Sequence, residues 1–319
     1  MPEANQTSPK PLLTVEQQIA HMKSKGIAFD LCTEADAAAY LRTKCQFFRI
    51  YAYRKLFDKH VGGERDGQYV GLDFGHLRAL SNLDRMLRDT LLPMTLDVEH
   101  FAKVQLLAAA EDCGEDGHSV VRDYLASVSK GQLAYLEAEL GRREQDAYCG
   151  SLVHRYRRDM PLWVLCELVS FGGFLGVMRF CAQRWEDAEL MRTHYLLKKA
   201  KSVRNFCAHG ACSLNDLSAG GSVREKAPVA LTKGMADVGI PKRLRSKRLE
   251  SPRMVQICTL LYVYALVVPD GLVRSERASA LRNLFGYSDR ACSILPPQNQ
   301  AIAAISFLER LTRAFGLLD

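Results

Sequence analysis

Glycine and proline are only modest in this chain of 319 residues, at 22 and 11. Such numbers argue against a β-sandwich or barrel, which needs many turns, and against a largely disordered chain. No stretch alternates apolar and polar residues over the length of a strand, and no segment repeats. The ten cysteines never stand in C-x-x-C spacing, so no zinc site is expected. Most of them lie in apolar runs such as LWVLCEL and VQICTLL and are expected to be buried, reduced thiols. His60, His76, His100, His118, His154 and His194 show no ligand spacing with carboxylates or cysteines. FGGFLG (171–176) lies in an apolar run without the lysine-serine/threonine ending of a phosphate-binding loop. No metal and no cofactor are expected. A basic-then-apolar leader is also missing, so residues 1–12 read as a short polar tail. The apolar stretches 162–178, interrupted by Glu167, and 255–268 fall short of the roughly 20 apolar residues a membrane span needs. No membrane partner and a cytoplasmic location are expected.

What is present is helical periodicity. TVEQQIAHMKSKGI (14–27) predicts a capped helix, with Thr14 as N-cap, Gln17 three residues on and Gly26 as a stop. Residues 34–60 are rich in helix formers up to GGERDG. Leucines 77, 80, 83, 87 and 91 predict a helix over 72–94, and 97–112 predicts another. Residues 120–144 hold one or two helices, and Met160-Pro161 opens an apolar one, since proline suits a first turn. Residues 187–210 are helical to Gly210 or interrupted near Ser202. Residues 219–252 read as a basic, loosely structured connection, and 253–319 as a C-terminal helical region. The fold class expected is all-α.

One short run, VRNFCAHG (203–210), carries candidate chemistry. Histidine titrates near neutral pH and can act as base or acid. Arginine keeps its charge and forks onto phosphate oxygens. Together they suit attack of a ribose 2′-hydroxyl on its own phosphodiester. On a continuous helix, however, Arg204 and His209 stand about 140° apart, whereas Asn205 and His209 share a face. The pair therefore acts together only if the helix begins or ends between them, or if a second copy completes the site. On spacing alone, a surface arginine and a helix-terminal histidine is the better account. The net charge of +7 is compatible with a polyanionic partner. Lys198, Lys199 and Lys201 precede the motif; Arg155, Arg157 and Arg158 cluster around Tyr156; Lys242, Arg243, Arg245, Lys247 and Arg248 crowd seven residues. Each run alone reads as a solvated helix face; together with the motif they suggest backbone contact with RNA. Phe47, Phe48, Tyr51 and Tyr53 could stack bases, but such aromatics are more often core.

Five blocks in order resemble the AbiD/AbiF-like group of abortive-infection proteins, within the wider HEPN superfamily. They are LTVEQQIAHMKSKGI (13–27), AAAYLRTKCQFFRIYAYRKLF (37–57), LDFGHLRALSNLDRMLRDTLL (72–92), MPLWVLCELVSFGGF (160–174) and VRNFCAHGACSLND (203–216). The resemblance implies a HEPN-like helical domain over 13–218 and a metal-independent endoribonuclease centre, commonly assembled across a homodimer. It casts Arg204 and His209 as catalytic and Asn205 as the polar residue beside them. Glu167 matches the acidic position of the Met-Pro-x-Trp block, either as support for the site or as the structural partner of a buried cation. The resemblance further implies phage defence with RNA as substrate and a noncoding RNA as associate. After the histidine, relatives often carry a second histidine and an arginine-leucine-tryptophan-asparagine run; here the chain reads GACSLND (210–216). A non-catalytic RNA-binding defence protein and a helical scaffold stay open as alternatives.

Overall fold

In the computed structural model, residues 11–217, 225–297 and 299–318 are described. Most of the expected tail, and residues 218–224 of the expected connection, lie outside them. Among the described residues there are 15 α-helices and no strand, as the periodicity predicts. In chain order they are α1 (Val15–Ser24), α2 (Glu34–Thr43), α3 (Phe47–Ala52), α4 (Phe74–Asp112), α5 (Ser119–Ser127), α6 (Lys130–Arg143), α7 (Gly150–Tyr156) and α8 (Leu162–Leu168). Next come α9 (Phe171–Arg184), α10 (Ala188–Ala208), α11 (Val229–Asp237), α12 (Lys242–Arg248), α13 (Pro252–Val267), α14 (Leu272–Cys292) and α15 (Gln300–Ala314). None of them is long and apolar enough to cross a membrane.

The chain forms two compact units. Among the described residues, one comprises 11–87, 212–217, 284–297 and 299–306. Its α1 opens on the predicted capping box, Thr14 and Gln17 bonding each other's backbone amides. At its centre the carboxylate of Asp84, 0% exposed, accepts hydrogen bonds from the Tyr53 hydroxyl (2.8 Å) and the backbone N–H groups of Ser213 (2.9 Å) and Leu214 (3.0 Å). Asn215 donates its side-chain amide to the Ala52 carbonyl at 3.0 Å. The segment just after the motif is thus pinned by buried polar contacts. Among the four aromatics of residues 47–53, Tyr53 is core and Phe47 stacks on Tyr51 at 4.9 Å, while Phe48 is 82% exposed.

Among the described residues, the second unit comprises 88–211, 225–283 and 307–318. Its central helix is α10, packed against α9 and α13 through Leu196, Leu197, Ala200, Val203 and Phe206. Apolar residues cover nearly the whole circumference of α13, which fits a helix buried on most sides. Arg253 at its start lies 3.9 Å from the centre of the Phe206 ring, a cation–π contact. At the far end of α9, Arg184 bonds Glu115 and Asp123, the latter at 2.7 Å, and Trp185 donates to Glu115 at 2.8 Å.

Three local expectations change. The helices expected at 72–94 and 97–112 are one, α4, running through Pro93. Proline disfavours a helix interior by about 3 kcal/mol. The buried stripe continues past it through Met94, Val98, Ala102 and Leu106, and burial of that stripe outweighs the penalty. Pro161 stands at the N-cap of α8 rather than in its first turn, and Ser170 starts a separate helix, α9. The loosely structured stretch carries α11 and α12, each introduced by a proline N-cap, Pro228 and Pro241. Leu231, Met235 and Ile240, all at most 2% exposed, tie this stretch to the core. Their spacing is too short to stand out between prolines and glycines.

Replacing Asp84 by alanine leaves two amides and a hydroxyl without their acceptor, so Asp84→Ala should lower stability by about 3 kcal/mol or more. Tyr53→Phe should cost only about 1 kcal/mol; urea unfolding followed by circular dichroism checks both. A second expectation concerns acid. The Glu115 carboxyl is held below its usual 4.5, chiefly by the Arg184 hydrogen bonds, with burial opposing and Trp185 assisting. A carboxyl depressed in the folded state stabilises above its unfolded value, and that contribution disappears as pH falls through the lower folded value. The urea midpoint should therefore drop more steeply between about pH 5 and pH 3 for the native chain than for Glu115→Gln.

Candidate functional site

The motif VRNFCAHG occupies the last turns of α10, and the helix runs unbroken through it. No interruption occurs at Ser202, whose hydroxyl folds back onto the Lys198 carbonyl at 3.3 Å. His209 is the C-cap, with backbone angles of φ −81 and ψ 0 and its N–H on the Asn205 carbonyl. Gly210 follows at φ +62. Its N–H bonds the Cys207 carbonyl and that of Ala211 bonds the Phe206 carbonyl, the paired closure of a Schellman motif. In turn, the buried Arg88 donates to the Ala211 carbonyl at 3.0 Å. The end of α10 is thus held in one conformation.

An unbroken helix keeps Arg204 and His209 about 140° apart. Both are exposed, and among the described residues neither side chain forms a hydrogen bond or ion pair. They point to different surroundings. Arg204 and Asn205 line a cavity of ≈ 550 Å³ between α6, α9 and α10, and His209 does not. Lys201, one turn earlier, lines the same cavity with Tyr124, Tyr135 and Glu139.

This cavity exists because α9 begins with glycines. A Cβ at Gly172 would fall 2.9 Å from the Lys201 ammonium, and one at Gly176 would fall 2.9 Å from the Tyr124 hydroxyl. Burial pushes the Tyr124 hydroxyl pKa up, with Cys181 and Glu139 adding to the effect, so it stays protonated and able to donate. Glu139, 7% exposed, accepts the Ser170 N–H on Oε1 at 2.7 Å, while its buried Oε2 has no hydrogen-bond partner among the described residues. Sequence reasoning missed Glu139. The available signal was phase: it follows Leu136 by three residues on the inward face of α6, where a carboxylate needs a reason.

The other expected residues are dispersed. Glu167 is exposed on α8, outside this cavity and without an ion pair among the described residues. The buried cation considered as its partner is therefore not found there. Lys199 is ion-paired with Glu225, which also accepts from Gln256 at 3.1 Å. Lys198 is exposed, its ammonium 5.9 Å from the Tyr195 ring centre. Around α7, Arg155 and Arg158 are exposed and Arg157 is ion-paired with Glu144. On α12, Lys242, Arg243 and Lys247 are exposed; Arg245 instead donates to the Ile240 carbonyl at 2.6 Å, and Arg248 lies 5.7 Å from the Phe307 ring centre. No group of three or more histidine, cysteine or carboxylate side chains among the described residues could hold a metal.

The family model for Abi-like proteins matches residues 40–215, more than half of the chain. The chain belongs to that family. As an Abi-like protein it is an abortive-infection protein, and its setting is defence against phage. The match takes in α10 and its motif, α6 with Glu139, and the Asp84 anchor. No curated protein and no solved structure matches this Abi-like chain.

The closure at Gly210 yields a further expectation. Gly210→Ala forces a side chain into the left-handed region and should cost about 1 kcal/mol. Thermal unfolding of the native and variant proteins checks it, at unchanged helical content.

Proposed function

We propose that this Abi-like protein is an endoribonuclease of the HEPN type, whose site joins Arg204 of one protomer to His209 of a second. The observation that carries the reading is the unbroken α10: both side chains are exposed and uncommitted, yet in one chain they cannot converge. A twofold pair of chains brings each arginine to the partner's histidine and makes two equivalent sites. His209 removes the proton of a ribose 2′-hydroxyl, the 2′ oxygen attacks phosphorus, and the P–O5′ bond breaks. The proton passes to the departing 5′ oxygen, leaving a 2′,3′-cyclic phosphate and a 5′-hydroxyl end. Arg204 stabilises the charge that builds on the phosphoryl oxygens. Asn205, which lines the same cavity as Arg204, positions the phosphate. The exposed cations Lys198, Arg155, Arg158, Lys242, Arg243 and Lys247 belong to the same unit and supply backbone affinity without base reading.

A second reading is favoured by the same geometry: a monomer whose arginine and histidine do not meet holds an RNA without cutting it. Mixing variants separates the two. With cleavage of an RNA pool measured in EDTA, His209→Ala should lose about 10²–10⁴-fold and Arg204→Ala about 10²–10³-fold. Refolding the two variants together should restore about a quarter of native activity, since half the dimers then carry one intact site. No restoration from variants that each fold and dimerise would exclude the shared site. RNA retained but uncut by the native protein would favour the binding protein.

A further inference from the structure

We infer that the cavity between α6, α9 and α10 is a guanine-nucleotide pocket, with Glu139 reading the base and Lys201 and Arg204 holding a phosphate. The inference rests on the reading of the protein as one that handles RNA, and it assigns a base preference to that site.

Three observations converge on such a ligand. The first is charge. Lys201 brings its ammonium against the first turn of α9, 2.9 Å from where a Cβ at Gly172 would stand, and Arg204 lines the same cavity. The start of α9 is itself the positive end of a helix of 14 residues. Two cations and a helix N-terminus outweigh the single negative charge of Glu139, leaving room for an anion.

The second is an unmet acceptor. Glu139 is 7% exposed, and its Oε2 is buried with no donor among the described residues, while Oε1 holds the Ser170 N–H. Keeping a buried carboxylate oxygen without a donor is unfavourable, so a ligand that supplies N–H groups is favoured there. Among the RNA bases, guanine presents two adjacent donors on its pairing edge, N1–H and the 2-amino group. Adenine and cytosine set a ring-nitrogen lone pair beside their amine, and uracil flanks its single N–H with two carbonyl oxygens. A carboxylate is repelled by each of those acceptors and by none on the guanine N1–N2 edge.

The third is shape. A hollow of ≈ 550 Å³ has the size of a small-molecule site. Tyr135, 63% exposed at its rim, offers a face for stacking, and unpaired RNA bases are commonly bound by such stacking with recognition of their edges.

The test uses the full-length protein and 2′-O-methyl oligonucleotides that differ in one central base. Their blocked 2′ oxygens prevent cleavage, so only binding is read. Fluorescence anisotropy should give about tenfold tighter binding for guanine than for adenine, cytosine, uracil or inosine, the last lacking only the 2-amino group. Glu139→Gln keeps an acceptor for the Ser170 N–H and should lose that preference with its melting temperature unchanged. Tyr135→Ala, at an exposed position, should weaken binding to every base. Competition with guanosine monophosphate tells the source of the nucleotide. Displacement at matching concentration points to a free nucleotide, and displacement only by longer oligonucleotides points to RNA; either supports the pocket. Equal affinity for all bases, or a preference that survives in folded Glu139→Gln, would overturn it and leave Glu139 as the holder of the Ser170 amide. Should Glu139→Gln fail to fold, equal binding of guanine and inosine by the native protein overturns it just as well. Cleavage plays no part in these measurements. A guanine preference without nuclease activity therefore sinks the nuclease alone, and nuclease activity without base preference sinks the pocket alone.

Discussion

An α-helix that does not break cannot bring residues five positions apart onto one face. Everything about the site follows from that constraint on α10. The helix is held straight through Arg204 because Val203, Phe206 and Cys207 are buried, and it is closed only after His209 by the left-handed Gly210. The arginine and asparagine therefore open on a cavity shared with α6 and α9, and the histidine is left at the exposed helix end. Arg204 and His209 are thus divided between two surfaces of one rod.

Buried polar groups fix the chain around that rod. Within the second unit, the guanidinium of Arg88 grips the Ala211 carbonyl just past the motif. Within the first, Asp84 gathers the Ser213 and Leu214 amides with the Tyr53 hydroxyl. Satisfied networks of this kind are stiff, because moving one member breaks hydrogen bonds that the others hold in the buried interior. The residues after the histidine, GACSLND, are thereby committed to architecture: Leu214 is fully buried and Asn215 bonds a backbone carbonyl.

The cations sort by the same logic. Lys199 and Arg157 are paired with carboxylates within the chain and add little to the field that an approaching polyanion meets, whereas Arg245 and Arg248 keep their charge but have the guanidinium engaged by a backbone carbonyl and an aromatic ring. Lys198, Arg155, Arg158, Lys242, Arg243 and Lys247 stay exposed. Lys201 is different again, half-buried in the cavity, where its charge acts at close range.

Local pattern was enough to establish the helical class, the capping box at Thr14, the stop at Gly26 and the chemical types in VRNFCAHG, since each depends on neighbours within one or two turns, while it left open whether α10 runs on to Gly210. The same locality misled it at Pro93, where long-range burial overrides a local breaker, and across 229–248, where two short helices depend on a few buried anchors. It could name Glu167 as an acid in an apolar run but could not see that this side chain faces outward while Glu139 faces in. Which carboxylate shares a cavity with Arg204 is a matter of contacts between distant segments. That was decided only when α6, α9 and α10 packed together.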